Sequence, residues 1–385
     1  MIYAISQYIL AVKNLDTMSR TLASRRIYPI FEDYDNPYKQ CLIGNSVLIF
    51  RVMCEGKSMA MRVYMRPHQN LRAIYGDNYY PKELFVSASS EVYGLADVVL
   101  CEWYEGETLQ RKIEKLADKP VKMAYLTQMF EEMAIGLLGE KWAHGDLKPE
   151  NIICTKDGLR LIDFDAMYRE DFAVTNCMEI GTRQYQHPLR DSTFFNKSID
   201  DYPIALISTA LAALSLDSSL AKDITECDYL LIRPNLAVEG RDEILDRIER
   251  LFAERGDARH YRIAQLLHSS HPSLPRLKIF LESQVRDDDG VGEMSLAYYG
   301  GYWGFTRQGL FIIPPIYDLA FDFSDGLALV RVGDVWHFID EKGKVVITCG
   351  RGSDIKPFKG SVTRMVREDG VEVTIYRDGR IESKE

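Results

Sequence analysis

The sequence predicts an α+β body built in two parts and followed by a small all-β unit. Three changes of texture along the 385 residues carry that prediction. Between about residues 27 and 106, short runs such as SVLIFRV, SMAMRVY, ELFVSA and DVVLCEWY are separated by polar or Gly-containing turns, as strands are. From about 107 to 283, LTQMFEEMAIGLLGEKW and ILDRIERLFAERG place apolar residues at three- and four-residue spacing, the period of amphipathic helices. Beyond about 285 that period stops, RDDDGVGE reads as a polar linker, and strand and turn run to the end.

Single hydrophobic cores rarely grow past about 250–300 residues, so this length predicts two or three domains. The 46% hydrophobic and 27% charged content is that of a folded protein and excludes global disorder or a collagen-like fibre. A formal net charge of −10 argues against nucleic acid or an anionic membrane as the main partner, while leaving room for a local basic groove. The seven cysteines are scattered without a CxxC pair, which predicts free thiols rather than a disulfide framework or a zinc site. The first residues, MIYAISQYILAVKNLD, lack the basic start and continuous apolar stretch of a signal peptide. Ile5, Ile9, Leu10 and Val12, broken by Ser6, Gln7 and Lys13, predict instead a short amphipathic helix in an extension over residues 1–26. The longest apolar run, Pro203 to Leu214, falls short of the roughly 20 residues of a membrane span. A cytoplasmic protein with no membrane or nucleic-acid partner is expected.

Chemistry concentrates where the helical part is interrupted. Trp142-Ala143-His144-Gly145-Asp146-Leu147-Lys148-Pro149-Glu150-Asn151-Ile152 follows a helix and runs into the strand-like NIICT. A turn at Lys156-Asp157-Gly158 leads to LRLIDF and Ile162-Asp163-Phe164-Asp165. Asp146 and Asn151, five residues apart, can converge on one cleft, and Asp163 can enter it from the adjacent strand. Oxygen ligands of this kind suit Mg²⁺, which is held by one or two carboxylates together with substrate phosphates.

This segment resembles the catalytic loop of protein kinases, H-R-D-L-K-P-E-N in its common form, followed by the magnesium-binding D-F-G. The resemblance implies a two-lobed protein kinase-like fold, with residues 27–106 as the first lobe and hinge and 107–284 as the second. It implies ATP and Mg²⁺ as ligands, Asp146 as acceptor of the attacking hydroxyl's proton, and Lys148 as the group that steadies the phosphoryl in transit. Asn151 and Asp163 would hold the metal, and His144 would pack beneath the loop. Leu100 to Leu109 looks like the hinge, whose backbone near Glu102 and Tyr104 would bind adenine, with Cys101 behind it. Gly181 to Pro188 resembles the end of the activation segment, where Thr182 helps to position the acceptor. Asp200-Asp201-Tyr202 resembles the start of the helix that anchors the catalytic loop.

Several positions depart from the family's pattern. Arg62, in Ala60-Met61-Arg62-Val63, stands where a phosphate-binding lysine is usual, and a broad guanidinium does not replace a slim ammonium conservatively. The Gly-rich loop over the phosphates is reduced to Gly44-Asn45-Ser46. No glutamate stands near Asn70–Tyr75 to pair with Arg62, which leaves Glu83 or Asp77 as flanking candidates. Gly145 replaces the usual arginine, and Leu189 the glutamate after Pro188. His-Gly-Asp and Asp165 also resemble small-molecule kinases such as the aminoglycoside phosphotransferases.

The last hundred residues repeat weakly. Turn glycines Gly309, Gly343 and Gly379 are spaced by 34 and 36 residues, and Trp303-Gly304-Phe305 aligns with Trp336-His337-Phe338. Such units share a core by stacking. Trp303-Gly304-Phe305, Ile313-Pro314-Pro315-Ile316-Tyr317-Asp318 and Phe323 to Ala328 resemble the WG repeats of bacterial proteins, which implies an interaction module over residues 285–385. The aromatics Tyr298 to Trp303 are expected to fill the repeat core, the charges between Ile244 and Arg259 to form a wet helix face, and His268 and His271 to be surface or capping residues.

The expected protein is therefore an ATP-dependent serine/threonine-type protein kinase that engages an unidentified protein through its repeats. A pseudokinase serving as a nucleotide-responsive scaffold is the alternative, motivated by Arg62 and the thin Gly loop. A small-molecule phosphotransferase is a third, argued against by Lys148 and the Gly181–Pro188 segment.

Overall fold

The structure, a computed structural model, describes residues 3–31, 41–87, 93–172, 179–225, 229–283, 290 and 292–383. Most of the linker expected around residue 285, together with Cys177 and Cys227, lies outside the described residues. The chain is mixed α/β with an all-β C-terminal region. Its residues fall into two compact units, the first comprising Met1–Glu107, Thr155–Met167 and Asp171–Val174, the second Thr108–Cys154, Tyr168–Glu170 and Thr175–Glu385.

The first unit is built on an antiparallel sheet of β1 (Ile27–Pro29), β2 (Leu42–Ile43), β3 (Val47–Cys54), β4 (Lys57–Tyr64), β5 (Tyr79–Ser87) and β6 (Tyr93–Glu102). The order is β1-β3-β4-β6-β5, with β2 hydrogen-bonded to β3. Side chains alternate across a strand, and here both faces are covered. Leu48, Phe50, Val52, Met61, Val63, Val98 and Leu100 face one way and bury Tyr8, Ile9, Val12 and Leu15 of the N-terminal segment. That segment forms the helix Ile5–Lys13, which explains its broken apolar pattern. Val47, Tyr64 and Val99 face the other way, against Leu71 with Tyr75 packed beside it. Arg62 shares this second side, two residues from Tyr64 on β4.

In the second unit the helices Pro120–Leu137 and Asp201–Leu216 form the centre, the latter buried from Asp201 to Leu214. A charge sits between them. Glu131 accepts from the Ser208 hydroxyl and from Arg259 at 2.8 Å, and meets His260 at 3.0 Å. His260 in turn contacts Asp257 at 2.6 Å, and Asp257 caps the helix Ala258–Gln265. Burial alone would raise the Glu131 carboxyl, but the His260 bond, its charge and Arg259 pull it down to about 2. Burial would depress His260, and the facing Asp257 carboxylate overrides this and lifts it to about 9. The wet face expected between Ile244 and Arg259 is thus interrupted at Asp257 and Arg259. His268, expected as a surface or capping residue, is half-buried and bridges Glu249 and the carbonyl of Ala237 at the end of the helix Pro234–Val238, each at 2.8 Å. His271 lies at the surface as expected and accepts from the Ser273 amide at 3.1 Å.

The C-terminal region is an antiparallel meander. Ser295–Tyr299, Tyr302–Arg307 and Leu310–Tyr317 form one sheet, and seven strands from Leu319–Ala320 to Ile381–Ser383 form the other in chain order. Leu329, Trp336, Phe338, Ile347, Phe358, Met365 and Val373 make its core. Gly309, Gly343 and Gly379 turn at φ 79°, 70° and 86°, conformations that suit glycine and mark equivalent corners of the repeats. Tyr298 and Tyr299 do not fill the core as expected, being 60% and 65% exposed. They lie on an edge strand, so only one neighbouring strand covers them.

The repeats are fastened to the helices of the same unit by their own signature residues. Buried Arg262 donates through Nε to the Ile316 carbonyl at 2.9 Å, pairs with Asp318 at 2.6 Å and stacks 4.2 Å over the Tyr302 ring. His337, standing where the first repeat has Gly304, is fully buried with Nε2 at 2.7 Å from the Ala253 carbonyl. Desolvation lowers its pKa to about 4, so the neutral ring donates from Nε2.

Two outcomes are expected. His260, near 9 when folded against 6.5 unfolded, contributes stability that is full below about 6.5 and is lost as pH rises through about 9. Calorimetry of His260→Gln should therefore show a flatter loss of Tm between pH 7 and 10 than the parent chain, and parallel curves would remove His260 from that role. Glu131 contributes in the opposite sense, with stability lost as pH falls below about 4.5 toward 2. Second, His337→Gly should cost about 1–3 kcal/mol through the lost bond to Ala253 and speed proteolytic separation of the repeats from the helices. An unchanged cleavage rate would count against His337 as an anchor.

Candidate active site

In the first unit Arg62 lies on β4 opposite Ile49 of β3 and Val99 of β6. Its side chain is only 5% exposed. A buried cation must be compensated, and Arg62 Nη2 donates to Asp163 Oδ1 at 2.7 Å and Asp165 Oδ2 at 2.6 Å. The other Asp165 oxygen accepts from the Tyr64 and Tyr75 hydroxyls at 2.8 and 2.7 Å. Asp165 is 6% exposed, whereas Asp163 keeps 34% of its side chain open to water. Burial opposes the Arg62 charge, but Tyr75, Asp163 and Asp165 outweigh it and hold the guanidinium well above its ordinary pKa. Burial pushes the Tyr64 and Tyr75 hydroxyls up, so they remain donors.

Asp163 adopts φ 66° and ψ 65°, a left-handed conformation that costs a residue with a side chain about 1–2 kcal/mol. It starts the short turn Phe164–Ala166 and thereby presents two carboxylates to Arg62. Glu83, considered as the Arg62 partner, instead accepts from the Thr21 and Leu22 amides at 2.6 and 2.8 Å and from the Thr21 hydroxyl. Gly44 sits at the exposed β2–β3 turn, closed by its amide to the Val47 carbonyl at 2.9 Å. Glu102 is exposed at the end of β6, and Tyr104 beyond it has its hydroxyl raised by burial and by Glu102. Burial raises the Cys101 thiol to about 11.

The second unit brings together Asp146, Lys148, Asn151 and Thr182. The loop is held from below by Asp200, fully buried, which accepts from the His144 amide and from the Gly145 amide at 2.9 Å. Burial raises the Asp200 carboxyl, opposed by His144 and by these amides. Asn151 Nδ2 donates to the Asp146 carbonyl at 2.8 Å and to its carboxylate at 3.2 Å. Asp146 Oδ1 accepts the Thr182 amide at 2.6 Å. Lys148 Nζ donates to the Thr182 hydroxyl at 2.9 Å and lies 3.6 Å from the Asp146 carboxylate. Gly181 is required here, since at φ 79° any Cβ would stand 2.7 Å from the Gly145 carbonyl oxygen. His144 is fully buried, with Nδ1 3.3 Å from the Asp146 amide.

Three contributors were not singled out from the sequence. Leu189 is 62% exposed, and its neighbour Arg190 turns inward instead, donating to the Gly145 carbonyl at 2.8 Å and to the Gln186 side chain. Tyr64 and Tyr75 complete the Arg62 cluster. The period-two placement of Arg62 and Tyr64 on one strand was the available signal for the first of these.

A family model for the WG containing repeat matches residues 306–336. The chain is also similar to cyclin-dependent kinase F-4 from Oryza sativa subsp. japonica, at 24% identity over 153 residues. That match covers 39% of this chain, and the chain spans about a third (32%) of the length of that relative.

Breaking a buried ion pair by removing one partner typically costs about 3–5 kcal/mol. Arg62→Met and Asp165→Asn should each lower unfolding stability by an amount of that order, and together by clearly less than the sum. Additive losses in a denaturant-based double-mutant cycle would show the two side chains to be energetically independent.

Proposed function

We propose that this chain transfers a phosphoryl group from ATP to a hydroxyl of a protein, as a serine/threonine-type kinase. The observation that carries the reading is the Asp146–Lys148–Thr182 arrangement. A carboxylate is aimed by one amide, braced by Asn151 and accompanied by an ammonium 3.6 Å away. Such a carboxylate accepts a proton from an attacking hydroxyl, and the ammonium offsets charge on the phosphoryl oxygens as the bond to the leaving group breaks. The partial similarity to a cyclin-dependent kinase supports the same chemistry.

The residues present fit magnesium in their chemistry. Asp163 offers a carboxylate one-third exposed, and Asn151, whose amide nitrogen is used on Asp146, offers an amide oxygen. Magnesium, when bound, would neutralise the phosphates. In this reading Asp163 would hold the metal in place of Arg62, whose guanidinium would keep Asp165 and its neighbouring tyrosines. Gly44, Glu102 and Tyr104 remain the proposed contacts to the nucleotide. Recruitment of the protein substrate is assigned to the WG repeats, where exposed Tyr298 and Tyr299 supply apolar surface.

One observation favours a second reading. Arg62 bonds both Asp163 and Asp165, so the carboxylate meant for the metal is already engaged. A chain that binds ATP and Mg²⁺ without turnover, as a pseudokinase scaffold, would keep that bond.

The two readings separate in one assay of the full chain with labelled ATP, Mg²⁺, and both the chain itself and a generic protein as acceptors. Transfer is expected, falling at least about a hundredfold in Asp146→Asn and in Asp163→Asn. Thermal stabilisation by ATP and Mg²⁺ with no transfer above either variant would establish the scaffold instead.

A further inference from the structure

The peptide unit that leads into Asp146 starts from a glycine at φ 82°, and glycine opposes backbone rotation less than any other residue. A peptide unit is planar, so the Gly145 carbonyl and the Asp146 amide turn together, and their rotation redirects the Asp146 side chain. Three groups hold this stretch. Asp200 accepts the Gly145 amide at 2.9 Å, and His144 Nδ1 lies 3.3 Å from the Asp146 amide. The third is Arg190, whose Nη1 donates to the Gly145 carbonyl at 2.8 Å. The same nitrogen donates to Gln186 Oε1. Gln186 belongs to the segment whose Thr182 amide reaches Asp146 Oδ1 at 2.6 Å. One nitrogen therefore joins the two backbone stretches that meet at the Asp146 carboxylate.

Arg190 is aimed by its own surroundings. Its amide donates to the His187 carbonyl at 2.9 Å, closing a turn, and the His187 ring accepts the Leu189 amide at 3.1 Å and meets the Ser269 carbonyl at 3.0 Å. Arg190, Gln186 and Asp200 are all buried, so water does not compete for these bonds. Burial raises the Asp200 carboxyl, and His144, the two loop amides and the Arg190 charge oppose that rise.

We propose that Arg190 is a positioning residue for phosphoryl transfer, clamping the Gly145–Asp146 peptide to Gln186 and so aiming the Asp146 carboxylate at the attacking hydroxyl. The inference rests on the kinase reading of Asp146 and adds the group that sets the direction of that carboxylate. Arg190 acts through Gly145 and Gln186 and not on the substrate itself. A neutral side chain of similar length loses the charge that faces Asp200. A lysine keeps that charge and one donor for the Gly145 carbonyl, though without the planar fork of a guanidinium.

The test compares the full chain with Arg190→Gln, Arg190→Lys and Gln186→Met. Hydrogen–deuterium exchange is read on the stretches 144–147 and 181–186, where the Thr182 amide reports its bond to Asp146. In Arg190→Gln both stretches are expected to exchange about three- to tenfold faster, with the helix Pro120–Leu137 unchanged. Transfer from labelled ATP and Mg²⁺, expressed per molecule able to bind ATP, is expected to fall at least about tenfold in kcat, with KM for ATP within about twofold of the parent. Arg190→Lys should recover most of both effects, and Gln186→Met should show part of both. Faster exchange that extends through Pro120–Leu137, no recovery in Arg190→Lys, or an unchanged kcat in Arg190→Gln would each overturn the positioning role. If Arg190→Gln does not fold, Gln186→Met decides, and parental values of both exchange at 181–186 and kcat in that variant overturn the clamp. A parent chain that transfers nothing, with the exchange effect still confined to the two stretches, removes the kinase reading and leaves the clamp. Transfer by the parent that is indifferent to position 190 removes the clamp and leaves the kinase reading.

Discussion

A guanidinium withdrawn from water has to be met by negative charge, and the first unit is arranged around meeting that demand for Arg62. The side chain cannot turn outward, because β4 is the strand between β3 and β6 and its alternation assigns Arg62 to a covered face. Two aspartates come to it from about a hundred residues further along the chain, and one of them accepts a left-handed backbone to do so. Two tyrosine hydroxyls then satisfy the remaining oxygen of Asp165. The second unit solves the converse problem at Asp200, where a buried carboxylate is satisfied by the backbone amides of His144 and Gly145. In each case a buried charge is met by groups that the local backbone holds in place.

What could be read from the sequence follows from how local each interaction is. The bonds within the 144–151 segment join residues a few positions apart, so their meeting was legible, as was the contact of the Asp200 helix with this loop. The repeats were legible because their glycines recur at corners that demand positive φ. The partner of Arg62 was not. A pairing across a hundred residues leaves no local trace, and the helix Leu71–Tyr75 contributes a tyrosine hydroxyl where a carboxylate was sought. The inward turn of Arg190 was missed because the substitution at Leu189 drew attention to the wrong position by one residue. Tyr298 and Tyr299 misled because aromatic strand residues are usually core-facing, and an edge strand relaxes that rule.

Polar groups fasten the helices to the repeats. Arg262 takes the carbonyl of Ile316, the carboxylate of Asp318 and the ring of Tyr302, all within the best-matching repeat. The second repeat departs from the pattern at His337, and that departure supplies the bond to Ala253. Deviation from the repeat consensus therefore coincides with attachment.

This attachment changes what kind of part the repeat region is. A cassette that can be exchanged between proteins keeps its defining residues for itself or for outside ligands. Here the signature positions of one repeat and the altered position of the next have been committed to a neighbour in the same chain. The region has given up part of its interchangeability, since a repeat of the same pattern set in its place would keep the aspartate that meets Arg262 but bring a glycine where His337 holds Ala253.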